Sequence, residues 1–140
     1  MGRVFFNTRK NTQSLTAAYQ LLASDSGTVF FSNLAAGYIV TLPAISDAQD
    51  GWNCRIVIAT NVTSGNFVIT ELTTSDTDKI ILQTNEQQNN AAPAGLSTGC
   101  TTVVLANGAD AIGDSFDILC DGTSWYINAN VSLDAAVTVT

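Results

Sequence analysis

The stretch FDILCDGTSWYI, residues 116–127, decides the fold. Apolar side chains alternate with other residues on both sides of a turn: Phe116, Ile118 and Cys120 come before it, and Trp125 and Ile127 come after it. These side chains are predicted to face inward. Between the two runs stands Asp121-Gly122, a pair that favours a type I′ turn because both central residues need positive φ. The stretch therefore predicts a β-hairpin with Trp125 in the core and Asp117 on the outward face.

The same period-two alternation recurs along the chain. It marks strand candidates at 28–33, 37–42, 54–59, 67–69, 79–83, 101–106, 115–120 and 123–128. Short strands at intervals of about ten residues, separated by Gly, Asn and Asp clusters, are typical of antiparallel sandwiches and barrels. The sequence therefore predicts an all-β domain, an antiparallel β-sandwich or barrel of about 8–10 short strands with at most one short helix.

Three segments depart from this pattern. Residues 11–23 space Leu15, Ala18 and Leu22 as one or two helical turns would, although a strand or loop fits nearly as well. Residues 84–99 are rich in Asn, Gln, Ala and Gly and predict a long loop of the functional or flexible kind. Residues 131–140 alternate as a strand that could extend a neighbour's sheet.

Charge is unevenly distributed along the chain. Arg3, Arg9 and Lys10 place +3 in the first ten residues, whereas Arg55 and Lys79 stand against twelve acids, or −10, in the remainder. We therefore divide the chain into an N-terminal arm, 1–12, and a single β-domain, 13–140. An acidic body repels phosphate backbones, so nucleic-acid binding is not expected, and the basic arm suits an acidic protein surface.

The arm is also apolar. Its proposed partner contacts are Arg3, Val4, Phe5, Phe6, Arg9 and Lys10. Two exposed phenylalanines would be a liability on a free arm, so packing against another chain or the chain's own body is the expected role.

The absence of histidine from the 140 residues excludes most catalytic chemistry. Ser-His-Asp and Cys-His nucleophiles and His-ligated metals all require that side chain. The nominal carboxylate pairs are Asp76 with Asp78 and Asp114 with Asp117, but the first looks like a solvated turn and the second includes an outward-facing strand residue. We expect no enzyme activity, no catalytic residues and no cofactor.

The sequence gives equally little support for a metal site or for reactive thiols. Asn107, Asp110 and Asp114 form the best calcium candidate, but they lack the calcium-loop pattern and are explained as well by turn chemistry, so no metal site is predicted. Cys54, Cys100 and Cys120 form no C-x-x-C pair and lie in or beside apolar strands. Buried free thiols are the expectation, with a Cys100–Cys120 disulfide as the alternative.

Two aromatic residues are candidates for contact with a ligand or a subunit. Trp52 lies in the predicted turn at 50–53, and Tyr126 points away from Trp125, near Asn128 and Asn130. Packing or subunit contact is favoured for both over a platform for a sugar.

No targeting segment is evident. The first ten residues lack an apolar core, and the longest apolar stretch, 34–40, is far shorter than the ~20 residues of a spanning helix. We expect synthesis in the cytoplasm and no membrane association.

Four stretches together resemble a known group of proteins. They are SDSGTVFF at 24–31, YIVTLP at 38–43, DGWNCRI at 50–56 and CDGTSWYI at 120–127. This succession of a strand, Leu-Pro, Gly-aromatic and a closing D-G-x-x-W hairpin is similar to small β-domains on the virion surface of tailed bacteriophages. The resemblance covers roughly residues 24–58 and 114–130 and consists of strand and turn chemistry.

The resemblance implies a structural virion protein. Capsid decoration, or cement, proteins of this kind are small, are assembled in the host cytoplasm, are commonly trimeric and often clasp the major capsid protein with a terminal arm. The chain is therefore expected to bind the outer capsid surface as a homotrimer and to stabilise the shell. The alternative is a head-fibre or tail module in which Trp52, Tyr126 and the 84–99 loop face a host glycan.

Overall fold

Two β-sheets form the protein, and the computed structural model describes residues 11–72, 76–87 and 96–140. The strands of this part of the chain are β1 (Thr12–Leu15), β2 (Tyr19–Gln20), β3 (Thr28–Ser32), β4 (Ile39–Thr41), β5 (Asp50–Ile58), β6 (Phe67–Thr70), β7 (Ile80–Glu86), β8 (Leu96–Cys100), β9 (Thr102–Leu105), β10 (Ser115–Asp121), β11 (Trp125–Val131) and β12 (Val137–Val139). The helical elements are the four-residue α1 (Ile45–Ala48) and a 3-10 turn, Ala23–Asp25. The all-β prediction is confirmed, and each of the eight predicted strands overlaps an observed one.

The larger sheet has seven strands in the order β1-β3-β5-β10-β11-β7-β8, and the smaller has five in the order β12-β9-β6-β4-β2. Both are mixed, which corrects the expectation of antiparallel sheets. The hairpin β10–β11 is antiparallel, but β3 with β5, β7 with β11 and β4 with β6 are parallel. The chain crosses to the other sheet between such partners: β4 of the small sheet lies between β3 and β5 in sequence. Each crossover lets the next strand return in the same direction.

The core lies between the inner faces of the two sheets. Phe67 of the small sheet meets Phe116 of the large sheet with ring centroids 5.8 Å apart, and Tyr19 of β2 meets Phe30 of β3 at 6.0 Å. Trp125 is fully buried, as predicted from the hairpin. Sandwich packing follows, since alternate residues in strands such as β3, β5 and β11 are buried where they face the opposite sheet.

The segment 11–23 forms strands β1 and β2, and no helical turn occurs before Ala23. The side chains that the structure buries are Leu15 and Leu21, while Leu22 is 52% exposed, so the i, i+3, i+7 spacing did not reflect a buried helix face. The backbones of these two strands pair with strands that are distant in sequence: β1 pairs with β3, and β2 pairs with β4.

Two further expectations require correction. The predicted 84–99 loop is shorter, because Thr84–Glu86 continue β7 and Leu96–Gly99 belong to β8; residues 88–95 lie outside the described part. The predicted turn at 50–53 is the start of β5. The terminal strand β12 pairs with β9 of its own chain and forms one edge of the small sheet, so its other side is open to the neighbouring strand that the sequence suggests.

Candidate functional site

An open groove of about 640 Å³ lies on the outer face of the large sheet. Six neighbouring strands line it, and in the four central ones, β5, β10, β11 and β7, the residues between the buried ones point outward. The strand residues along the groove that face outward are Asn53, Arg55, Ile81, Gln83, Leu96, Asp117, Leu119, Tyr126 and Asn128. We call this surface the groove.

One row of the groove is apolar. The register places Leu119 opposite Tyr126 and Tyr126 opposite Ile81, so three outward side chains from β10, β11 and β7 lie side by side. Leu119 is 47% exposed and Tyr126 42%. Leu96 of the neighbouring β8 continues the apolar surface at one rim. The row presents an aromatic ring flanked by aliphatic groups to a ligand.

The adjacent row is polar and rich in amides. Asn128 stands opposite Gln83, and Asn130 stands opposite Asn85. The Asn85 amide donates to the side-chain oxygen of Asn128 at 2.8 Å and to that of Asn130 at 3.3 Å. Amides both donate and accept, so groups not used internally can bind hydroxyls of a ligand.

The groove also contains an ion pair. Arg55 of β5 stands opposite Asp117 of β10, with Nε 3.5 Å from Oδ1, and its guanidinium donates to the Ser115 hydroxyl at 3.1 Å. Asp117 therefore lies on the outward face, as predicted. The two opposite charges neutralise each other within the row, so they provide directional hydrogen bonds without a net charge at this point.

Tyr126 is held by the hairpin turn next to it. Its hydroxyl hydrogen-bonds the carboxylate of Asp121, and this bond together with the negative charge of Asp121 raises the pKa of Tyr126. Asp121 Oδ1 also accepts from the backbone N–H of Ser124 at 2.7 Å and of Thr123 at 2.8 Å, and these bonds lower the pKa of Asp121. The turn thus fixes the position of the phenol at the edge of the groove.

The thiols cannot act as surface nucleophiles. Cys54, Cys100 and Cys120 are free and buried, so the disulfide alternative does not occur. Burial is the main cause that raises the pKa of each, and for Cys54 the charges of Asp25 and Asp117 add to it. Thiolate formation is therefore suppressed at neutral pH.

One member of each nominal carboxylate pair is occupied in holding the backbone. Asp76 is buried rather than part of a solvated turn, and its Oδ2 accepts from the Ile45 N–H at 3.0 Å. Asp114 is also buried and accepts from the N–H of Ala111 at 2.8 Å and from both the N–H and the hydroxyl of Ser132. Its partner Asp117 lies in the groove, bound to Arg55.

The calcium candidates have similar partners. Asp110 is buried, and its Oδ2 accepts from the Val62 N–H at 2.6 Å, while the Asn107 N–H donates to Asn66. N–H donors bind both carboxylate oxygens of Asp114 and one of Asp110, whose Oδ1 has no partner among the described residues. Within the described ranges no group of three or more Asp, Glu or Cys side chains is placed to hold a metal ion.

The structure places the two aromatic candidates in different environments. Trp52 is buried, stands edge-on to Trp125 with centroids 5.3 Å apart, and donates from Nε1 to the Leu22 carbonyl at 3.1 Å. It packs the core and cannot contact a ligand or another subunit. Tyr126 is exposed in the groove.

The proposed arm contacts Arg3, Val4, Phe5, Phe6, Arg9 and Lys10 lie outside the described residues. Sequence reasoning missed Leu119, Ile81 and Gln83 as companions of Tyr126. Their signal was their outward position in a predicted strand, but the strand order that brings them together was not available.

Comparison with protein-family models, with curated proteins and with solved structures finds no match for this chain. Among the residues that the structure describes, no helix has the length and apolar character needed to cross a membrane.

Proposed function

We propose that this protein is a non-enzymatic recognition module that binds a carbohydrate in the groove. The observation that carries the proposal is the exposed Tyr126 ring beside the amides of Asn128 and Gln83. A pyranose ring has an apolar C–H face and a polar rim of hydroxyls. An aromatic ring next to amides matches both surfaces at once.

The charges in the groove favour an uncharged sugar. Arg55 and Asp117 pair with each other, so neither offers an unpaired charge to a sialic or uronic acid. A carboxylated sugar would also be repelled by a chain of net charge −7. Arg55 and Asp117 together can instead donate to and accept from neighbouring hydroxyls.

A glycan array followed by calorimetric titration tests this function. Tyr126→Ala should weaken binding of the best neutral glycan by at least roughly tenfold, about 1.4 kcal/mol, because the stacking surface is lost. The matched control is Ile112→Ala, since Ile112 is 69% exposed in the loop between β9 and β10, outside the groove, and should not alter affinity. Absence of any neutral ligand on the array, or unchanged binding by Tyr126→Ala, would overturn the proposal.

Capsid decoration is the second candidate, and one observation from the sequence favours it. The +3 arm and the −10 remainder give the chain a basic, apolar anchor and an acidic outer surface. Within the arm, the Asn11 carbonyl accepts from the Val29 N–H at the β1 edge of the large sheet. An arm starting at a sheet edge can reach a neighbouring subunit without disturbing the core.

In this second proposal the chain binds the major capsid protein as a homotrimer on the outer surface of the virion, and the cations of the arm assist association while its phenylalanines become buried. Deletion of residues 1–10 followed by co-sedimentation with capsids tests it. Loss of binding supports the arm as the anchor, and undiminished binding overturns it. The copy number in purified particles separates the roles, because hundreds of copies indicate decoration and a few indicate a fibre or tail module.

A further inference from the structure

The outer face of the five-stranded sheet has a different chemistry from the groove. Its outward residues are β-branched apart from one glutamine: Gln20, Ile39, Thr41, Val68, Thr70, Thr102, Val104 and Thr138. The register aligns them in rows, with Ile39 beside Val68, Val68 beside Val104, and Val104 beside Thr138. A second row runs through Gln20, Thr41, Thr70 and Thr102. We call this surface the small-sheet face.

No charged side chain occurs among these outward residues, although the chain has twelve acids and five basic residues. The acids of the described residues are concentrated in turns, loops and strand ends, as in Asp25, Asp47, Asp78 and Asp134. Copies with a net charge of −7 repel one another wherever these acids approach. The two rows of the small-sheet face carry no charge, so two copies can meet along them without like charges in contact, and Asp47 borders the face at Gln20.

The composition of this face is complementary to itself. A threonine hydroxyl is both donor and acceptor, so a threonine row can hydrogen-bond to an identical row, whereas a carboxylate row could not. The aliphatic row Ile39, Val68 and Val104 can be buried against its own copy. β-branched side chains have few rotamers to lose, which lowers the entropic cost of association.

We propose that the small-sheet face is a self-association surface that takes a second copy of this chain. This inference is independent of the ligand of the groove, because the two faces lie on opposite sides of the sandwich. Association through the small-sheet face leaves both grooves open to solvent. The assembly would therefore present more than one copy of the groove and gain avidity for a repeated ligand.

The size of the surface sets the expected strength. Five strands at about 4.8 Å spacing span about 19 Å from β2 to β12, and β4, β6, β9 and β12 are only three or four residues long. Such a surface is smaller than the roughly 800 Å² per partner of a stable complex. We therefore expect reversible association with a dissociation constant between micromolar and millimolar.

Sedimentation velocity on the full chain, from micromolar to millimolar protein, tests the proposal. The average sedimentation coefficient should rise with concentration for the native chain. Val104→Glu places like charges across the interface and should lower the association constant by roughly tenfold or more. Thr138→Glu, at an exposed position of the edge strand, gives the same test with less effect on folding. Circular dichroism on both variants verifies that they remain folded.

The matched control is Asn128→Asp, which adds the same charge to the groove on the opposite face and should leave association unchanged. Adding salt should strengthen self-association, since the Debye length falls from about 30 Å at 0.01 M to about 8 Å at 0.15 M. A native chain that stays monomeric at millimolar concentration overturns the proposal. So does equal weakening by Asn128→Asp and by the two glutamate variants. None of these readouts depends on the groove ligand, so failure of the glycan proposal would remain distinguishable.

Discussion

The two outer faces of the sandwich come from one core but differ in chemistry. The groove on the large sheet combines an aromatic ring, amides and the Arg55–Asp117 ion pair, and these are the groups on which the proposed ligand site rests. The small-sheet face has only β-branched residues and one glutamine and offers a flat surface without charged side chains. Period-two alternation gives both sheets the same inner chemistry and leaves the outer positions free to diverge. Recognition and self-association can therefore be altered separately.

The largest expected effect on stability comes from a substitution in the core that both faces share. Trp125→Ala deletes a fully buried ring that packs against Trp52 and should reduce the free energy of unfolding by about 3–5 kcal/mol. Both ligand binding and self-association should weaken in proportion to the unfolded fraction. Denaturant titration measures the loss.

The control for Trp125→Ala is the next residue in the chain. Tyr126→Ala removes an exposed ring from the groove and should change stability by less than about 1 kcal/mol. Equal destabilisation by the two variants would contradict the assignment of these neighbours to opposite sides of the large sheet.

A smaller loss of stability should follow from breaking the hydrogen bonds between the two loops that connect the sheets. Asp114 ties the loop between β9 and β10 to Ser132, which lies between β11 and β12. Asp114→Ala leaves the N–H groups of Ala111 and Ser132 without their acceptor and should cost about 2–3 kcal/mol. Ser132→Ala removes only the hydroxyl contact and should cost about 1 kcal/mol. Thermal and denaturant unfolding of both variants test this order, and a larger loss for Ser132→Ala would reverse it.

The stability of the fold is expected to depend on pH through a buried acid at the end of the small sheet. Glu71, directly after β6, is buried, and its Oε1 accepts from the Lys79 N–H while its Oε2 has no partner among the described residues. Burial, and next the charges of Asp76 and Asp78, raise the pKa of Glu71 above its usual 4.5. The folded state therefore binds this proton more tightly than the unfolded state, and ionisation of Glu71 destabilises the fold as pH rises above 4.5.

Glu71→Gln removes this ionisation. The stability of the variant relative to the native chain should therefore increase between pH 4 and neutrality. Denaturant titrations at several pH values measure the difference. A difference that stays constant with pH would show that Glu71 ionises equally in both states.

The smallest effect concerns the groove alone. Asp121→Asn removes the negative charge beside Tyr126, so the pKa of Tyr126 should fall toward its usual 10.0, as followed by ultraviolet absorbance. The pKa of Asp121 itself is lowered by its N–H donors, so its contribution to stability is present above the usual 3.8 and is lost as pH falls. Glu71→Gln and Asp121→Asn should thus change the pH profile in opposite directions, and an unchanged Tyr126 titration would exclude the proposed contact.

Much of the fold was available from local patterns. The alternation around Asp121-Gly122 placed Trp125 inside and Asp117 outside, and the structure confirms both positions. Residues with local turn chemistry were harder to assign. Asp76 and Trp52 looked like turn residues in the sequence, but both are buried. Their hydrogen-bond partners, Ile45 and Leu22, lie about thirty residues away in sequence. No local pattern contains such a partner.

By itself, the sequence determined which residues face inward in strands such as β5, β10 and β11, where the hairpin turns, and that the chain lacks histidine chemistry. These properties depend on neighbours one or two positions away, or on composition alone. Only the tertiary structure decided that β3 and β5 run parallel, and that Leu119, Tyr126 and Ile81 from three strands share one groove. Alternation fixes the side of a sheet on which a side chain lies, but it has the same form for every possible neighbour. The choice of neighbour follows from packing the two sheets together.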